Sequence, residues 1–201
     1  MRTNQRVGYR TQSLLLIALL AGVWVLTAQG QEPAAAQEQS ESAAGYKQFL
    51  DRIHAYASLR KSIESTLPAM KPTDLPEMIT GRQQALARKI REARANAKRG
   101  DLFTESATKA FRRTVRDEFR GPHGKGARAT IRQGEPQNKI HLHVNEPYPE
   151  GVPFTTVPPS LLLAFPKLPD QVVTYRIVGR DLILLDVEAN LVLDRIPEII
   201  P

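Results

Sequence analysis

The sequence predicts an α+β protein in which an N-terminal three-helix segment is followed by a small antiparallel β-meander. Apolar residues recur at three- and four-residue steps within residues 46–120, as they do in amphipathic helices. Residues 172–196 instead hold three aliphatic runs separated by two or three turn-forming residues, which is typical of β-hairpins. A third pattern, at the start of the 201-residue chain, predicts that a signal peptide precedes this fold.

Residues 1–30 have the parts of a secretory signal peptide. An apolar run at 14–26 (LLLIALLAGVWVL) is followed by small residues at 28–30 (AQG), and three arginines precede the run: Arg2, Arg6 and Arg10. The run is shorter than the roughly 20 apolar residues of a transmembrane helix. We therefore expect cleavage after Gly30, export to the periplasm, and a processed chain that is not an integral membrane protein.

Composition narrows the classes of function. The chain has no cysteine, which excludes disulfides, thiol nucleophiles and cysteine zinc sites. Residues 31–140 hold 21 basic and 13 acidic residues, whereas residues 141–201 hold 4 basic and 8 acidic residues. A basic half often indicates nucleic acid, but an exported protein does not meet it. The expected partner is therefore an anionic envelope component or a protein.

The chain after the leader divides into a tether and one domain. Residues 31–44 have no large apolar side chain, so they cannot bury enough surface to offset the entropy of ordering, and we expect a flexible tether there. Residues 45–201 then form a single α+β domain, with a helical part at 45–121 and a β part at 139–201.

The helical part is expected to contain helices at residues 46–67, 76–99 and 104–120. The third helix is the most clearly amphipathic, with its apolar residues on one side and five basic residues within about 100° of arc on the other. We call these five residues the basic stripe: Lys109, Arg112, Arg113, Arg116 and Arg120. The stripe predicts binding of an anionic or protein partner. The alternatives are a solvated face and a face packed on the acidic C-terminal part.

Less regular structure is expected between the helices and the meander. Glycines and a proline predict a mobile turn at residues 121–126, followed at 127–138 by a loop that has room for one helical turn. Residues 139–145 (KIHLHVN) alternate as a strand does, and residues 160–165 (SLLLAF) fit a short buried helix. The strands of the meander are expected at 172–178, 181–187 and 191–196, packed on the third helix.

A metal site is the second chemical possibility. His141 and His143 lie on the same side of the predicted strand at 139–145, and imidazoles at that spacing can share a transition-metal ion. Further ligands could come only from Glu146, His123 or His54. The alternative is a pair of polar residues on the wet face of an edge strand.

No catalytic motif or cofactor fingerprint is present, including the Gly-x-Ser-x-Gly elbow and the phosphate-binding P-loop. Three acids at predicted strand ends are explained by turn chemistry: Asp181, Asp186 and Asp194. The sequence therefore predicts a non-catalytic protein.

Eight short segments occur in an order that resembles a group of uncharacterised exported bacterial proteins. They are 74–77 (DLPE), 89–94 (KIREAR), 100–104 (GDLFT), 111–113 (FRR), 148–151 (YPEG), 157–159 (VPP), 175–182 (YRIVGRDL) and 186–191 (DVEANL). The resemblance implies export and carries no assigned activity or binding residue.

The C-terminal hairpin, with Tyr175 before 178–181 (VGRD) and an aliphatic run at 182–185, is also similar to that of small periplasmic metal-homeostasis proteins. Together these patterns predict an exported, non-catalytic envelope protein that binds an anionic or protein partner through its basic helices. The alternative is a periplasmic metal-responsive or metal-binding protein that uses His141 and His143.

Overall fold

The computed structural model describes residues 34–69, 75–133, 140–153, 155–169 and 172–201. This part of the chain contains α1 (Ala34–Glu64), α2 (Pro76–Ala93), α3 (Glu105–Arg120), α4 (Gly124–Gln133), α5 (Pro159–Ala164), β1 (Val173–Val178), β2 (Asp181–Asp186) and β3 (Leu191–Ile196). The predicted α+β class, with helices before an antiparallel meander, is confirmed. The predicted signal peptide at 1–30 lies outside the described residues.

Helix α1 begins at Ala34, well before the predicted start at residue 46. The prediction of a flexible tether is therefore wrong for residues 34–44, and residues 31–33 lie outside the described part. Alanine, glutamine and glutamate all favour the helix, and the backbone of Glu38 and the side chain of Ser42 accept hydrogen bonds from Arg113 of α3. A helix that gains such tertiary contacts does not need a large apolar face of its own.

Helices α2 and α3 start where the sequence predicts, but α2 ends at Ala93 instead of continuing to residue 99. The side chain of Asn145, from a distant part of the chain, donates to the carbonyls of Arg91 and Arg94 at 3.1 and 3.0 Å. These bonds satisfy helix-end carbonyls from outside the helix. On α3, the Thr104 hydroxyl accepts from the backbone N–H of Ala107, as expected of an N-cap.

Helix α4 corrects the prediction of a mobile turn and a loop for residues 124–133, whereas residues 134–138 of that prediction lie outside the described part of the chain. The helix covers Gly124–Gln133, and Ala127 and Ile131 bury one side of it. Gly124 packs so closely on α3 that a Cβ there would lie 2.2 Å from the carbonyl oxygen of Phe119. Gly124, one of the glycines that predict a turn, is therefore required by the close contact with Phe119.

The β1–β2–β3 meander matches the prediction. Val178 pairs with Asp181 across a two-residue turn in which Gly179 has a φ of 59°, a conformation that favours glycine. Between β2 and β3 the register shifts, because Leu184 pairs with Asp194 whereas Leu185 pairs with Val192. The extra residue of this bulge reverses the alternation of faces along β3.

Aromatic rings join the sheet to the helices. Phe111 of α3 lies with its ring centroid 5.1 Å from that of Phe49 on α1 and 5.8 Å from that of Tyr175 on β1. The predicted packing of the meander on the third helix is thus observed, with α1 as a second support. Helices α1 and α3 approach closely at Gly45, where a Cβ would lie 2.6 Å from the carbonyl oxygen of Ser106.

The prediction of a strand at residues 139–145 is wrong for the described residues 140–145, which are irregular. The segment instead covers the face of the sheet that points away from the helices, where Leu142 and Tyr148 pack on Ile183 and Val192. Its backbone pairs with β3 through the Asn145 and Tyr148 N–H groups and, farther along, with β1 through Thr155. Both edges of the sheet are thereby paired, which strand-like alternation could not reveal.

Candidate functional site

Three arginines of the basic stripe lie along one ridge of α3, spaced four residues apart. Arg112, Arg116 and Arg120 line a groove of about 340 Å³, together with Arg128 of α4 and the chain segment after β3. Residues at i and i+4 are neighbours on a helix surface, so the ridge follows from the sequence spacing. We call this feature the arginine groove: Arg112, Arg116, Phe119, Arg120, Arg128, Glu198, Ile199 and Pro201.

The wall of the arginine groove opposite α3 is held by hydrogen bonds at both ends. Arg112 donates to the carbonyls of Pro197 and Glu198 at 2.6 and 3.0 Å. The Arg180 side chain donates to the carbonyl of Ile200 at 2.8 Å. The backbone carbonyl of Arg180 accepts from the N–H groups of Ile199 and Ile200. Glu198 has a φ of 47°, a backbone conformation that side chains other than glycine rarely adopt. These hydrogen bonds therefore fix the position of the wall relative to α3.

The floor of the groove is apolar. Phe119 and Ile199 are buried, and the Arg128 guanidinium lies 5.0 Å from the centre of the Phe119 ring. A cation over an aromatic face is attracted to it without losing its charge. An apolar floor also lowers the local dielectric, which strengthens electrostatic attraction to a bound anion.

Arg128 is the groove residue that the sequence analysis missed. The glycines at 121, 124 and 126 predict a mobile connection there, which hides the helix that carries this arginine. A signal was present: Ala127 and Ile131 repeat at helical spacing, as do Arg128 and Arg132. That pattern predicts a short amphipathic helix with its basic residues on the exposed side.

The other two residues of the basic stripe turn away from this groove. Lys109 pairs with Glu105 one turn earlier, with 2.8 Å between its Nζ and the carboxylate. The hydrogen bond and charge of each partner raise the pKa of Lys109 and lower that of Glu105. Arg113 binds the Glu38 carbonyl and the Ser42 hydroxyl of α1. The basic stripe thus consists of two residues that lie outside the groove, Lys109 and Arg113, and a ridge of three arginines that line the groove.

Arg116 and Arg120 are exposed, and in the part of the chain that the structure describes their side chains have no hydrogen-bond or ion-pair partner. Arg112 bonds only to carbonyl groups, which carry dipoles but no net charge. Glu198 is the one acidic side chain among the residues that line the groove. The groove therefore carries an excess positive charge that its own lining does not balance.

Three acids of the C-terminal part pair with basic residues outside the groove. Asp181 pairs with Arg195 at 2.8 Å, and Glu146 pairs with Arg91 at 2.8 Å. Glu188 pairs with Arg60 of α1. The basic stripe as a whole therefore does not pack on the acidic part of the chain. Arg112 is the stripe residue that bonds to that part, and its partners there are backbone carbonyls.

Asp186 and Asp194 are fully buried, and the explanation by turn chemistry is incomplete for both. Asp186 accepts from the Tyr56 hydroxyl at 2.6 Å and from Arg60 at 2.9 Å, in addition to the turn N–H of Ala189. Burial and the Asp186 carboxylate raise the pKa of Tyr56 well above its usual range. No water-exposed surface reaches the Asp186 carboxylate, so its hydrogen bonds hold α1 to the sheet.

Asp194 lies inside β3 and binds the loop before α3. Its carboxylate accepts from the N–H groups of Gly100, Leu102 and Phe103, at 2.8 Å for the last two. The bulge in β3 explains this placement, because it turns Asp194 toward the helices. These bonds position the start of α3 and hence the arginine groove.

The two histidines proposed as metal ligands are both exposed, on either side of the buried Leu142. Among the residues that the structure describes, no group of three or more metal-ligating side chains comes together. His54 and His123 are exposed on other elements, and Glu146 is bonded to Arg91. The strand that placed His141 and His143 on one face is not formed.

No protein-family model, curated protein sequence or solved structure matches this chain. Within the described ranges, none of the helices is sufficiently long and apolar to cross a membrane.

Proposed function

We propose that this protein is an exported, non-catalytic protein that binds an anionic partner through the arginine groove. The observation that carries the proposal is that Arg116, Arg120 and Arg128 line one groove and that none of them forms an ion pair within the described part of the chain. A fold that only needed solvated charges would disperse them, because like charges at i and i+4 destabilise a helix.

Electrostatics and geometry support the same partner class. Guanidinium groups present planar pairs of N–H donors that match the oxygens of phosphate, sulfate and carboxylate groups. Arg112 is braced by the carbonyls of the opposite wall, so it holds the groove open at one end. The apolar floor excludes water on one side of a bound anion. The described lining offers guanidinium donors and no serine, threonine, cysteine or histidine side chain, so the proposal is binding through these donors.

Export remains part of the proposal and is supported by the sequence alone. The basic start, the apolar run at 14–26 and the small residues at 28–30 are the parts of a cleavable leader. In that compartment, anionic lipids and anionic polymers of the envelope are the abundant polyanions, and they fit the charge of the groove.

Binding to heparin and to vesicles that contain anionic lipid tests the proposed function. We expect binding at low ionic strength that weakens steeply at moderate salt, because exposed charges are screened. The double variant Arg116→Gln/Arg120→Gln should lose about tenfold or more in affinity. The matched control is Arg88→Gln/Lys89→Gln on α2, which removes the same charge from exposed positions outside the groove.

The two double variants separate a site from a general effect of net charge. A retained affinity in the α2 control, beside a loss in the groove variant, supports the proposal. Equal losses in both variants, or binding of the wild-type protein that does not respond to salt, would overturn it.

A further inference from the structure

We infer that the arginine groove is a site for a compact ligand that carries phosphoryl groups, of the class of a diphosphate or a phosphomonoester head group. This inference rests on the proposed function and makes it more specific. It concerns the chemistry of the anion that reaches the floor of the groove, beyond the attraction of the surface to polyanions in general.

The first argument is charge density. Four guanidinium groups and one acidic side chain line about 340 Å³, so these side chains carry three excess positive charges. A phosphoryl group carries about −1.5 to −2 at neutral pH, so roughly two of them balance this excess within a small volume. A carboxylate brings a single charge, and several carboxylates with their carbon skeletons would not fit as compactly.

The second argument is the spacing of the donors. Arg112, Arg116 and Arg120 follow one another at four-residue intervals, so neighbouring side chains start about 6 Å apart along the helix axis. Arg128 of α4 lines the same groove, with its guanidinium 5.0 Å from the centre of the Phe119 ring. Arg112 already donates to the carbonyls of Pro197 and Glu198. The guanidinium forks of Arg116, Arg120 and Arg128 can each bond to two oxygens, which matches the several oxygens of adjacent phosphoryl groups.

The third argument is the shape of the site. The groove is concave, with Phe119 and Ile199 as an apolar floor and the segment 197–201 as a wall. A small head group can enter it and contact several arginines at once. A ligand that reaches the floor is partly removed from water, where each hydrogen bond to a charged group is stronger than at the surface.

Glu198 gives the inference a test of opposite sign. It is the acidic residue of the lining, and its N–H is bonded to Asp181 at 2.9 Å while its carbonyl accepts from Arg112. The backbone is thus held whatever the side chain is. Because its carboxylate repels a phosphoryl ligand, Glu198→Gln should strengthen binding about threefold, whereas loss of an arginine weakens it.

Calorimetric titration of the purified protein with inorganic pyrophosphate, at low ionic strength, tests the inference directly. We expect saturable binding that is tighter than that of succinate at the same concentration. Single changes Arg116→Gln, Arg120→Gln and Arg128→Gln should each weaken it about tenfold. The matched controls are Arg132→Gln, an exposed arginine of α4 outside the groove, and Arg88→Gln on α2. Both should change the affinity less than twofold.

Two results would overturn the inference. One is the absence of saturable binding of pyrophosphate by the wild-type protein. The other is a set of groove variants that bind pyrophosphate as the controls do. Thermal unfolding of each variant will test whether the variant is folded. In the described part of the chain the side chains of Arg116 and Arg120 have no partner, so replacing them breaks no bond that stabilises the fold.

The same variants distinguish this inference from the proposed function. If heparin and anionic vesicles bind through Arg116 and Arg120 but pyrophosphate does not bind, the phosphoryl inference is wrong and the anionic partner stands. If none of the three binds, both are wrong. Vesicles with phosphatidic acid identify the source of the phosphoryl group: displacement of bound protein by pyrophosphate indicates a lipid head group, and pyrophosphate binding without vesicle binding indicates a soluble ligand.

Discussion

Replacing Asp194 by alanine removes the acceptor that holds the loop before α3 to the sheet. The N–H groups of Leu102 and Phe103 are buried and would lose their hydrogen bonds to the carboxylate, as would the half-buried N–H of Gly100. A buried donor left without a partner costs about 1–3 kcal/mol, and the partly exposed one about 1 kcal/mol. The expected decrease in the free energy of unfolding is therefore about 3–7 kcal/mol, a large share of the roughly 5–15 kcal/mol of a typical domain.

Urea denaturation followed by circular dichroism measures this decrease. Asp194→Asn keeps one acceptor oxygen and should lose about half as much as Asp194→Ala. The control is Asp117→Ala on the exposed side of α3, which should stay within about 0.5 kcal/mol of the wild type. A decrease of less than about 1 kcal/mol for Asp194→Ala would refute the argument that the loop depends on this carboxylate.

Four further substitutions test the packing and electrostatics of single residues. Gly81→Ala in α2 should raise the free energy of unfolding by about 0.5–1 kcal/mol, because a Cβ there meets no atom within 4 Å and alanine favours the helix. Gly45→Ala in α1 should lower it in the same urea titration, because its Cβ would lie 2.6 Å from the carbonyl oxygen of Ser106; equal stabilisation by both changes would contradict the packing described. Arg116→Gln should raise stability by about 0.4–1 kcal/mol at low salt and by much less at high salt, since it removes two like-charge contacts at i,i+4 spacing, and a salt-independent effect would count against this origin. Burial raises the pKa of Tyr148 to about 12, so the folded protein holds this proton more tightly than the unfolded chain, whose tyrosine titrates near 10.0. Stability should therefore decrease as the pH rises from about 10 to about 12, and Tyr148→Phe should reduce this decrease in denaturation at several pH values; an unchanged pH dependence would contradict it.

The order and type of most elements could be predicted because the signals are local. The start of α3 depends on Thr104 and the residues just after it, and the turn between β1 and β2 depends on Gly179 and Arg180. Capping and tight turns involve atoms a few residues apart, so the sequence records them directly. The same holds for the apolar side of α3.

Elements whose stability comes from distant contacts were predicted wrongly. Helix α1 extends back to Ala34 because Arg113 bonds to its first turns, and nothing near Ala34 indicates that contact. The segment at 140–145 alternates as a strand does, yet it is irregular, and it bonds to the sheet through the N–H group of Asn145, which donates to the carbonyl of Val192 in the distant strand β3. Alternation of apolar and polar residues indicates that one side of a segment is buried, but it does not indicate which part of the protein covers that side.

The candidate site shows the same division. The basic stripe was predicted as one surface from its angular position on α3, which is a property of the helix alone. In the structure Arg113 bonds to a residue of α1 and Lys109 pairs with Glu105, so neither lines the groove. Arg128 joins the groove from α4, a helix that the glycines had concealed. Which arginines keep an unbalanced charge depends on the position of every nearby acid.

The sequence by itself determined that helices precede a three-stranded meander, that α3 is amphipathic, and that the helical half is basic, because periodicity and composition act over a few residues. Only the tertiary structure decided that Asp194 holds the loop before α3 and that three arginines of α3 meet one of α4 over an apolar floor. Contacts of this kind join residues far apart in the chain, and their energies depend on distances and burial that no local pattern encodes.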